Sequence, residues 1–248
     1  MDNLLKRLVE LESDIEYQLP PADGQLEFSY IPGRIAVLLS APHGAAHRRK
    51  SYEYKDEDEY TAGLVRLLAE LTGAHALYAR NRSGSDPNVH EHTPYKQKMR
   101  QIISQSDIRF VLDLHGASDP KYTFGIALGT IDGKSCPAQR PLILSVLAKH
   151  GFSPQAGGRD NLDVDKKFKG AGAAERETIT RYASQVLHVP AAQFELCQDV
   201  RIVERRASAS KSQPFQGDPQ RILRVIETFT EMINLLGEVD QSWDEPEK

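Results

Sequence analysis

The sequence FVLDLHGAS at residues 110–118 is the stretch that decides the fold. Its apolar residues predict a buried strand: Phe110, Val111, Leu112 and Leu114. Asp113 and His115 stand two positions apart near the end of that strand, so both side chains lie on one face, because strand side chains alternate. Open α/β sheets bind ligands at the carboxyl ends of their strands. We therefore expect the functional centre around His115.

A second apolar run upstream has the same kind of ending. Residues 35–39 (IAVLL) predict a buried strand that leads into Ser40-Ala41-Pro42-His43-Gly44. If the two strands are neighbours, the imidazoles of His43 and His115 converge at one sheet edge. Two histidines and one carboxylate are a recurrent ligand set for catalytic zinc. The start of the next helix offers four candidate carboxylates: Asp56, Glu57, Asp58 and Glu59.

A third apolar strand carries a charge that needs a reason. Residues 191–196 (AAQFEL) contain Glu195, and a carboxylate in such a place is seldom buried without a partner or a task. Glu195 either forms a salt bridge with Arg201 or serves as the general base of a metal site. Asp113 likewise either fixes a loop or orients His115. From the residues alone, a metal site and a set of hydrogen-bonded core residues both remain open.

Strands alternate with helices along the chain. Helical spacing predicts helices over residues 2–13, 64–71, 95–105, 140–149, 175–184 and 219–236, and further strands are predicted over 76–79 and 123–128. Asp56 and Glu59 resemble a capping box for the second helix. Residues 157–172 lack a period and predict a long loop, of the kind that often forms a lid or a binding loop. The alternation predicts an α/β fold with a mixed, mostly parallel sheet flanked by helices.

Composition excludes several classes of protein. The 248 residues are 40% hydrophobic and carry a net charge of −4, so no basic field for nucleic acid is evident. No apolar run approaches the roughly 20 residues that span a bilayer, and the charged N-terminus is not a signal peptide. Two cysteines fit a reducing compartment, and we predict a cytoplasmic protein. We predict one domain over 1–248, with an N-terminal helix and loop (1–33) and a flexible acidic tail (238–248).

Five short segments together resemble the N-formylglutamate amidohydrolase family, a branch of the zinc-carboxypeptidase-like hydrolases. In chain order they are Ser40-Ala41-Pro42-His43-Gly44, Asp58-Glu59-Tyr60-Thr61, Arg82-x-x-x-Asp86-x-Asn88, Asp113-Leu114-His115-Gly116 and Gln193-Phe194-Glu195-Leu196. The resemblance implies a fold of the zinc-carboxypeptidase and phosphorylase/hydrolase-like type. It also implies a metal-dependent hydrolase that cleaves an amide bond of an N-acylated amino acid or a similar small substrate.

The resemblance also implies a metal centre. One Zn²⁺ would be held by His43, Asp58 and His115, with Glu57 as the alternative to Asp58, since one residue of misalignment exchanges them. Other divalent transition metals also suit two histidines and a carboxylate. Glu195 is then implied as the general base and acid.

Further roles come from the same resemblance. Arg82 is implied as a catalytic group that polarises the scissile carbonyl, and Asn88 and Arg201 as substrate-binding groups. The expected partner is a small acylated amino acid or a peptide-like molecule, with no nucleic acid and no membrane.

Two departures from the family pattern concern the substrate. Val89 stands where the family has arginine, and Cys197-Gln198 stands where it has Asn-Arg. Because arginine is the usual bidentate partner of a carboxylate, the substrate stays open. A metallo-carboxypeptidase or deacylase acting on peptides is one alternative, and a non-catalytic binding module on the same scaffold is another. Candidates for the cation opposite a substrate carboxylate are Arg201, Arg159 and Lys169.

Overall fold

The computed structural model describes residues 3–49, 53–117, 122–174 and 176–238. It centres on a seven-stranded sheet in the order β1-β5-β2-β6-β9-β7-β8. The strands are β1 (Phe28–Ile31), β2 (Val37–Ala41), β5 (His75–Ala79), β6 (Phe110–Ala117), β7 (Ile126–Gly129), β8 (Leu162–Val164) and β9 (Ala191–Cys197). A separate two-stranded ribbon pairs β3 (His47–Arg48) with β4 (Tyr54–Lys55).

The centre of the sheet is parallel. β5, β2, β6 and β9 run in the same direction, whereas β1 and β7 pair antiparallel with their neighbours β5 and β9. β8 is parallel to β7. The predicted mixed, mostly parallel sheet is therefore confirmed. The strands leading to His43 and His115 are neighbours, so the condition for the two imidazoles to converge is met.

Helices cover both faces of the sheet. The larger core lies beneath α1 (Asn3–Glu12), α2 (Thr61–Thr72), α4 (Arg140–Lys149) and α6 (Pro219–Glu238). The smaller core lies on the opposite face beneath α3 (Pro94–Gln105) and the turns at α5 (Ile179–Arg181) and Tyr182–Val186. The central strands are apolar on both faces because both are covered. The apolar runs at 35–39 and 110–115 follow from this layering.

The start of α2 differs from the predicted capping box. The residue before the helix, Tyr60, has a left-handed backbone (φ 66°) and makes no capping hydrogen bond with its side chain. The buried carboxylate of Glu12 instead accepts hydrogen bonds from the backbone N–H groups of Tyr60 (2.7 Å) and Gly63 (2.6 Å). The capping box of Asp56 and Glu59 is therefore wrong, because Glu59 forms an ion pair with Arg205 instead.

Several elements depart from the sequence predictions. β1 and the β3–β4 ribbon are additional, and β8 lies within the predicted loop 157–172. The helix predicted over 175–184 begins only at Ile179. Within the described ranges no helix is both long and apolar enough to cross a bilayer. The predicted tail lies outside the described residues from 239 onward, and the domain division stays a prediction.

Candidate metal centre

Three side chains converge at the carboxyl ends of β2 and β6. The Nδ1 atoms of His43 and His115 lie 3.2 Å apart. One carboxylate oxygen of Asp58, Oδ2, lies 3.5 Å from the Nδ1 of His43 and 3.4 Å from that of His115. All three side chains are largely buried, with Asp58 the most exposed at 15%. The structure thus brings the three predicted ligand residues together as one group with one candidate ligand atom each.

The spacing of these three atoms fits a transition metal. Nitrogen and oxygen ligands about 2.1 Å from a tetrahedral ion stand about 3.4 Å from one another. The observed separations are 3.2, 3.4 and 3.5 Å. Three protein ligands leave the fourth tetrahedral position open, which is the arrangement of catalytic zinc sites. The donor set therefore fits the metal that the sequence predicted.

Buried carboxylates orient both imidazoles. The Nε2 of His115 lies 2.9 Å from Oδ2 of Asp113, and the Nε2 of His43 lies 2.9 Å from Oδ1 of Asp86. Since an ionised carboxylate only accepts hydrogen bonds, each Nε2 carries a proton, and in the neutral ring each Nδ1 therefore presents a lone pair. Such carboxylate–histidine pairs fix the tautomer and the ring orientation of metal ligands. Ser40 supports Asp113 by donating a hydrogen bond to its Oδ1 at 3.0 Å.

A second group of candidate ligands shares His43 with the first. It consists of His43, His47 and Asp86. Both Asp86 oxygens are occupied, because Oδ1 also accepts from the Asn88 backbone N–H (2.8 Å) and Oδ2 accepts from Arg49 Nε (2.8 Å). His47 stacks on His43 at 3.8 Å between ring centroids, and burial together with His43 lowers the pKa of His47 to about 3. Asp86 therefore acts as an orienting group here, since a guanidinium occupies the place of a second ion.

The electrostatics of the first group are those of a charged cluster. Burial raises the pKa of the Asp58 carboxyl, but hydrogen bonds to His115 and His43 outweigh burial and hold the pKa well below its usual range. Burial lowers the pKa of His115, whereas Asp113 and Asp58 more than reverse this and raise it well above 6.5. The carboxylate thus stays ionised at neutral pH. A proton and a metal ion compete for the imidazole nitrogens, since a metal needs the neutral ring.

Glu195 lies beside this cluster on the neighbouring strand. It pairs in register with His115 across β6 and β9, so the two side chains leave the same face of the sheet. Its Oε1 accepts a hydrogen bond from Gln193 Nε2 at 2.8 Å. Burial raises the pKa of Glu195 to about 7. A carboxyl group with that pKa can both accept and return a proton near neutral pH.

Gly116 and Gly44 follow the two histidines because neither position has room for a side chain. A Cβ on Gly116 would lie 2.6 Å from the Arg201 guanidinium, and one on Gly44 would lie 2.7 Å from the Cβ of Ala62 and from the Ala79 carbonyl oxygen. These contacts hold the strand ends against the loops that follow them. The His-Gly pairs of the sequence thus mark close packing at the site.

A cavity of about 570 Å³ opens above the cluster. Among its lining residues are His43, Asp58, His115, Asn88 and Glu195. The Asn88 amide nitrogen lies 3.0 Å from Nε2 of His115, and its Oδ1 accepts from the backbone N–H of Ile179. Five of the sequence-predicted site residues therefore share one cavity.

Three other predicted residues lie elsewhere. Glu57 accepts hydrogen bonds from Gln18 and Ser210, so it faces away from the cavity that Asp58 lines. The Arg82 guanidinium stacks on the Tyr54 ring at 4.6 Å and does not line the cavity. The structure therefore does not bring Glu57 or Arg82 to the histidines.

Arg201 is the third of these residues. It is 1% exposed, lies beneath Gly116 and donates to the backbone carbonyls of Glu59 and Leu196. Of the other cations considered, Arg159 forms an ion pair with Asp199 outside the cavity. Lys169 does line the cavity. Neither Arg201 nor Arg159 is placed to meet a substrate there.

Sequence reasoning missed several cavity residues. Arg49, Lys166, Lys167 and Arg176 line the cavity with Lys169. Four of these five lie in the segment from 166 to 176, which overlaps the predicted binding loop. The aperiodic, lysine-rich composition of residues 157–172 was the available signal. Arg49 left no such signal, because its position depends on Asp86, which is 37 residues away.

The fold has counterparts among solved structures. N-formylglutamate amidohydrolase from Ralstonia eutropha JMP134 superposes with a TM-score of 0.53 at 12% identity, over 85% of this chain and 97% of that one. A bacteriophage poly-gamma-glutamate hydrolase gives 0.50 at 16% identity (86% and 90%), and a metallo-carboxypeptidase from Pseudomonas aeruginosa gives 0.50 at 14% (94% and 66%). No protein-family model and no curated protein matches the sequence. The resemblance stated from the sequence is confirmed at the level of the fold.

Proposed function

We propose that this protein is a metal-dependent hydrolase of amide bonds that acts on an N-acylated amino acid or a similar peptide-like substrate. The observation that carries the proposal is the convergence of His43, Asp58 and His115, with a buried Glu195 beside them in one cavity. A binding site has no need of a general base beside its metal ligands. Metal-dependent hydrolysis does use a carboxyl group that exchanges a proton near neutral pH, as the pKa of about 7 allows for Glu195.

His43, Asp58 and His115 would hold one Zn²⁺ or a similar divalent ion. When bound, such an ion would act as a Lewis acid toward the carbonyl and would lower the pKa of a bound water. Asp86 and Asp113 keep the two imidazoles in the tautomer that presents Nδ1. These two carboxylates prepare the ligand set before the ion arrives.

Glu195 is the proposed general base and acid. Its carboxylate accepts a proton from the attacking water, whose oxygen bonds to the acyl carbon. When the C–N bond breaks, Glu195 returns that proton to the leaving amine, so the products are a carboxylic acid and an amine. The hydrogen bond from Gln193 fixes the direction in which the carboxyl group points.

Arg49 and Arg176 are the guanidinium groups on the cavity wall. Each has the planar donor pair that suits a substrate carboxylate. In this proposal they take the substrate-binding role that the family resemblance implied for Arg201, and the role in polarising the carbonyl that it implied for Arg82 is not assigned to them. Asn88 lines the cavity 3.0 Å from Nε2 of His115 and keeps the substrate-binding role that the resemblance implied.

The test of the proposal is Glu195→Gln. The variant should keep its metal, measured by elemental analysis, and lose hydrolysis of a panel of N-formyl and N-acetyl amino acids by about 10²- to 10⁴-fold. Amine release is the readout. Glu227→Gln, on the exposed side of α6, is the matched control and should keep full turnover. Equal turnover by Glu195→Gln and the wild type would exclude the proposed role.

A further inference from the structure

One wall of the cavity is strongly basic. Lys166, Lys167, Lys169 and Arg176 line it on the side of the segment from 166 to 176. The whole chain carries a net charge of −4, so this concentration of cations is a local feature of an acidic protein. Local positive fields of this kind attract and orient anionic ligands.

The segment that carries the three lysines, residues 165–170, is held in place at both ends. At its start Asp165 has a left-handed backbone (φ 52°) and accepts hydrogen bonds from the backbone N–H and the hydroxyl of Thr130, both at 2.6 Å. At its end the Lys169 carbonyl accepts from the Ile131 N–H at 2.7 Å, and a Cβ on Gly129 would lie 2.5 Å from the Gly170 nitrogen. The backbone that carries the lysines is therefore packed against the end of β7.

Three of the wall cations have no carboxylate partner among the described residues. Lys169 pairs with Asp132 at 3.1 Å, whereas Lys166, Lys167 and Arg176 form no salt bridge within those ranges. Lys166 and Lys167 are exposed, and the ammonium of Lys167 lies 5.6 Å from the centre of the Tyr122 ring. No carboxylate of the described residues forms a salt bridge with these three side chains, so their charge is available to a ligand in the cavity.

The number of these cations bears on the size of the substrate. An N-acylated amino acid has one backbone carboxylate and at most one more on its side chain, and one guanidinium suffices for each. Lys166 and Lys167 add two cations beyond the guanidinium of Arg176, and neither forms a salt bridge among the described residues. Along an open cavity of about 570 Å³ this wall suits a chain that carries several carboxylates. Nucleic acid would match the charge but contains no amide in its backbone for Glu195 to act on.

We propose that the substrate is an acidic peptide, a chain with a run of carboxylate side chains that lies along Lys166, Lys167 and Arg176. This inference rests on the proposed amide hydrolysis and names its substrate class. The scissile amide lies at the cluster of Asp58 and Glu195, and the neighbouring carboxylates lie on the basic wall. Water supplies the oxygen of the new carboxylic acid, as described above, and no other reactant is needed.

The first experiment measures binding without turnover. Glu195→Gln is titrated into fluorescent six-residue peptides of α-linked glutamate, γ-linked glutamate and glutamine, with a six-residue oligothymidylate as a further ligand. Anisotropy gives the dissociation constants at low and high salt. We expect at least one glutamate chain to bind more tightly than the glutamine chain and the oligothymidylate, and to weaken with salt. Whichever glutamate peptide binds more tightly identifies whether the substrate is α-linked or γ-linked. Equal binding of all four ligands would overturn the proposal.

The second experiment assigns the binding to the wall. On the same background, Lys166→Gln with Lys167→Gln should weaken glutamate-chain binding about two- to thirtyfold, the range for two exposed ion pairs. Lys6→Gln with Lys98→Gln removes the same number of positive charges elsewhere on the surface. This control pair should change glutamate-chain affinity less than twofold, which distinguishes an effect of the cavity wall from an effect of net charge. An equal loss of glutamate-chain affinity in both double variants would refute the assignment of binding to Lys166 and Lys167.

Turnover by the wild type separates the two proposals. Hydrolysis of the glutamate chain in preference to N-acetylglutamate, reduced by the lysine pair at Lys166 and Lys167, supports both. Turnover of N-acetylglutamate that matches the chain and does not respond to the lysine pair overturns the acidic-peptide proposal and leaves the hydrolase standing. Salt-sensitive binding of the chain without cleavage of any amide overturns the hydrolase instead.

Discussion

Adding zinc to the metal-free protein should raise its unfolding temperature, and His115→Ala should abolish the rise. The three candidate ligand atoms already stand 3.2–3.5 Å apart, close to the spacing of about 3.4 Å around a tetrahedral ion. Little free energy is therefore spent on moving side chains when the ion binds. The buried carboxylate of Asp58 and both Nδ1 lone pairs gain a partner in the folded state only.

The size of the rise follows from mass action. Free zinc at a thousand times its dissociation constant stabilises the folded state by about 4 kcal/mol. For a chain of 248 residues, each kcal/mol corresponds to about 2–4 °C, so the unfolding temperature should rise by about 8–16 °C. Removing one of three ligands should reduce the gain to a small fraction at the same zinc concentration, because the remaining pair binds far more weakly.

The assay is scanning calorimetry of chelator-treated, dialysed protein with and without zinc. His92→Ala is the matched control, since His92 is exposed and does not line the cavity. Zinc should raise the unfolding temperature of this variant by as much as it raises that of the wild type. The comparison uses the shift within each variant, so a lower starting stability of His115→Ala does not matter. An equal shift in His115→Ala, or none in the wild type, would refute the assignment of the ligands.

Three further predictions test residues around the site. Asp86→Asn should weaken zinc binding about 10- to 100-fold in competition with a chromophoric chelator, because His43 loses its orienting carboxylate; unchanged affinity would count against this role. Arg82→Ala should leave amide hydrolysis unchanged, because its guanidinium stacks on Tyr54; a large loss of turnover would return Arg82 to the site. Burial raises the pKa of Glu12 from 4.5 to about 7, so the folded protein holds a proton there that the unfolded chain releases. The free energy of unfolding should then fall by up to about 3 kcal/mol between pH 4.5 and pH 7, and urea titrations of Glu12→Gln should lack that contribution.

Local sequence patterns predicted the parts of the fold that local chemistry decides. The apolar runs of β2, β6 and β9 are buried on both faces, so their composition alone identifies them as central strands. His43 and His115 follow from the same pattern, because each stands at the end of such a strand. The convergence of the two histidines needed only the added assumption that the strands are neighbours.

The remaining elements depend on partners that are distant in sequence. β1 and β8 are short strands at the two edges of the sheet, and their pairing with β5 and β7 is set by tertiary contacts. The carboxylate of Glu12 caps α2 by accepting a hydrogen bond from the backbone N–H of Tyr60, which is 48 residues later in the chain. A capping box is a local pattern and gives no account of a carboxylate that arrives from another helix.

The placement of the cations shows the same limit most clearly. Arg82, Arg201 and Lys166 are equally charged in the sequence, but the fold places each in a different environment. Arg82 lies over an aromatic ring, and Arg201 donates to backbone carbonyls beneath Gly116. Lys166 lines the cavity and forms no salt bridge among the described residues. Whether a cation can meet substrate depends on where the fold places it and on which groups it pairs with, and no single motif contains those pairings.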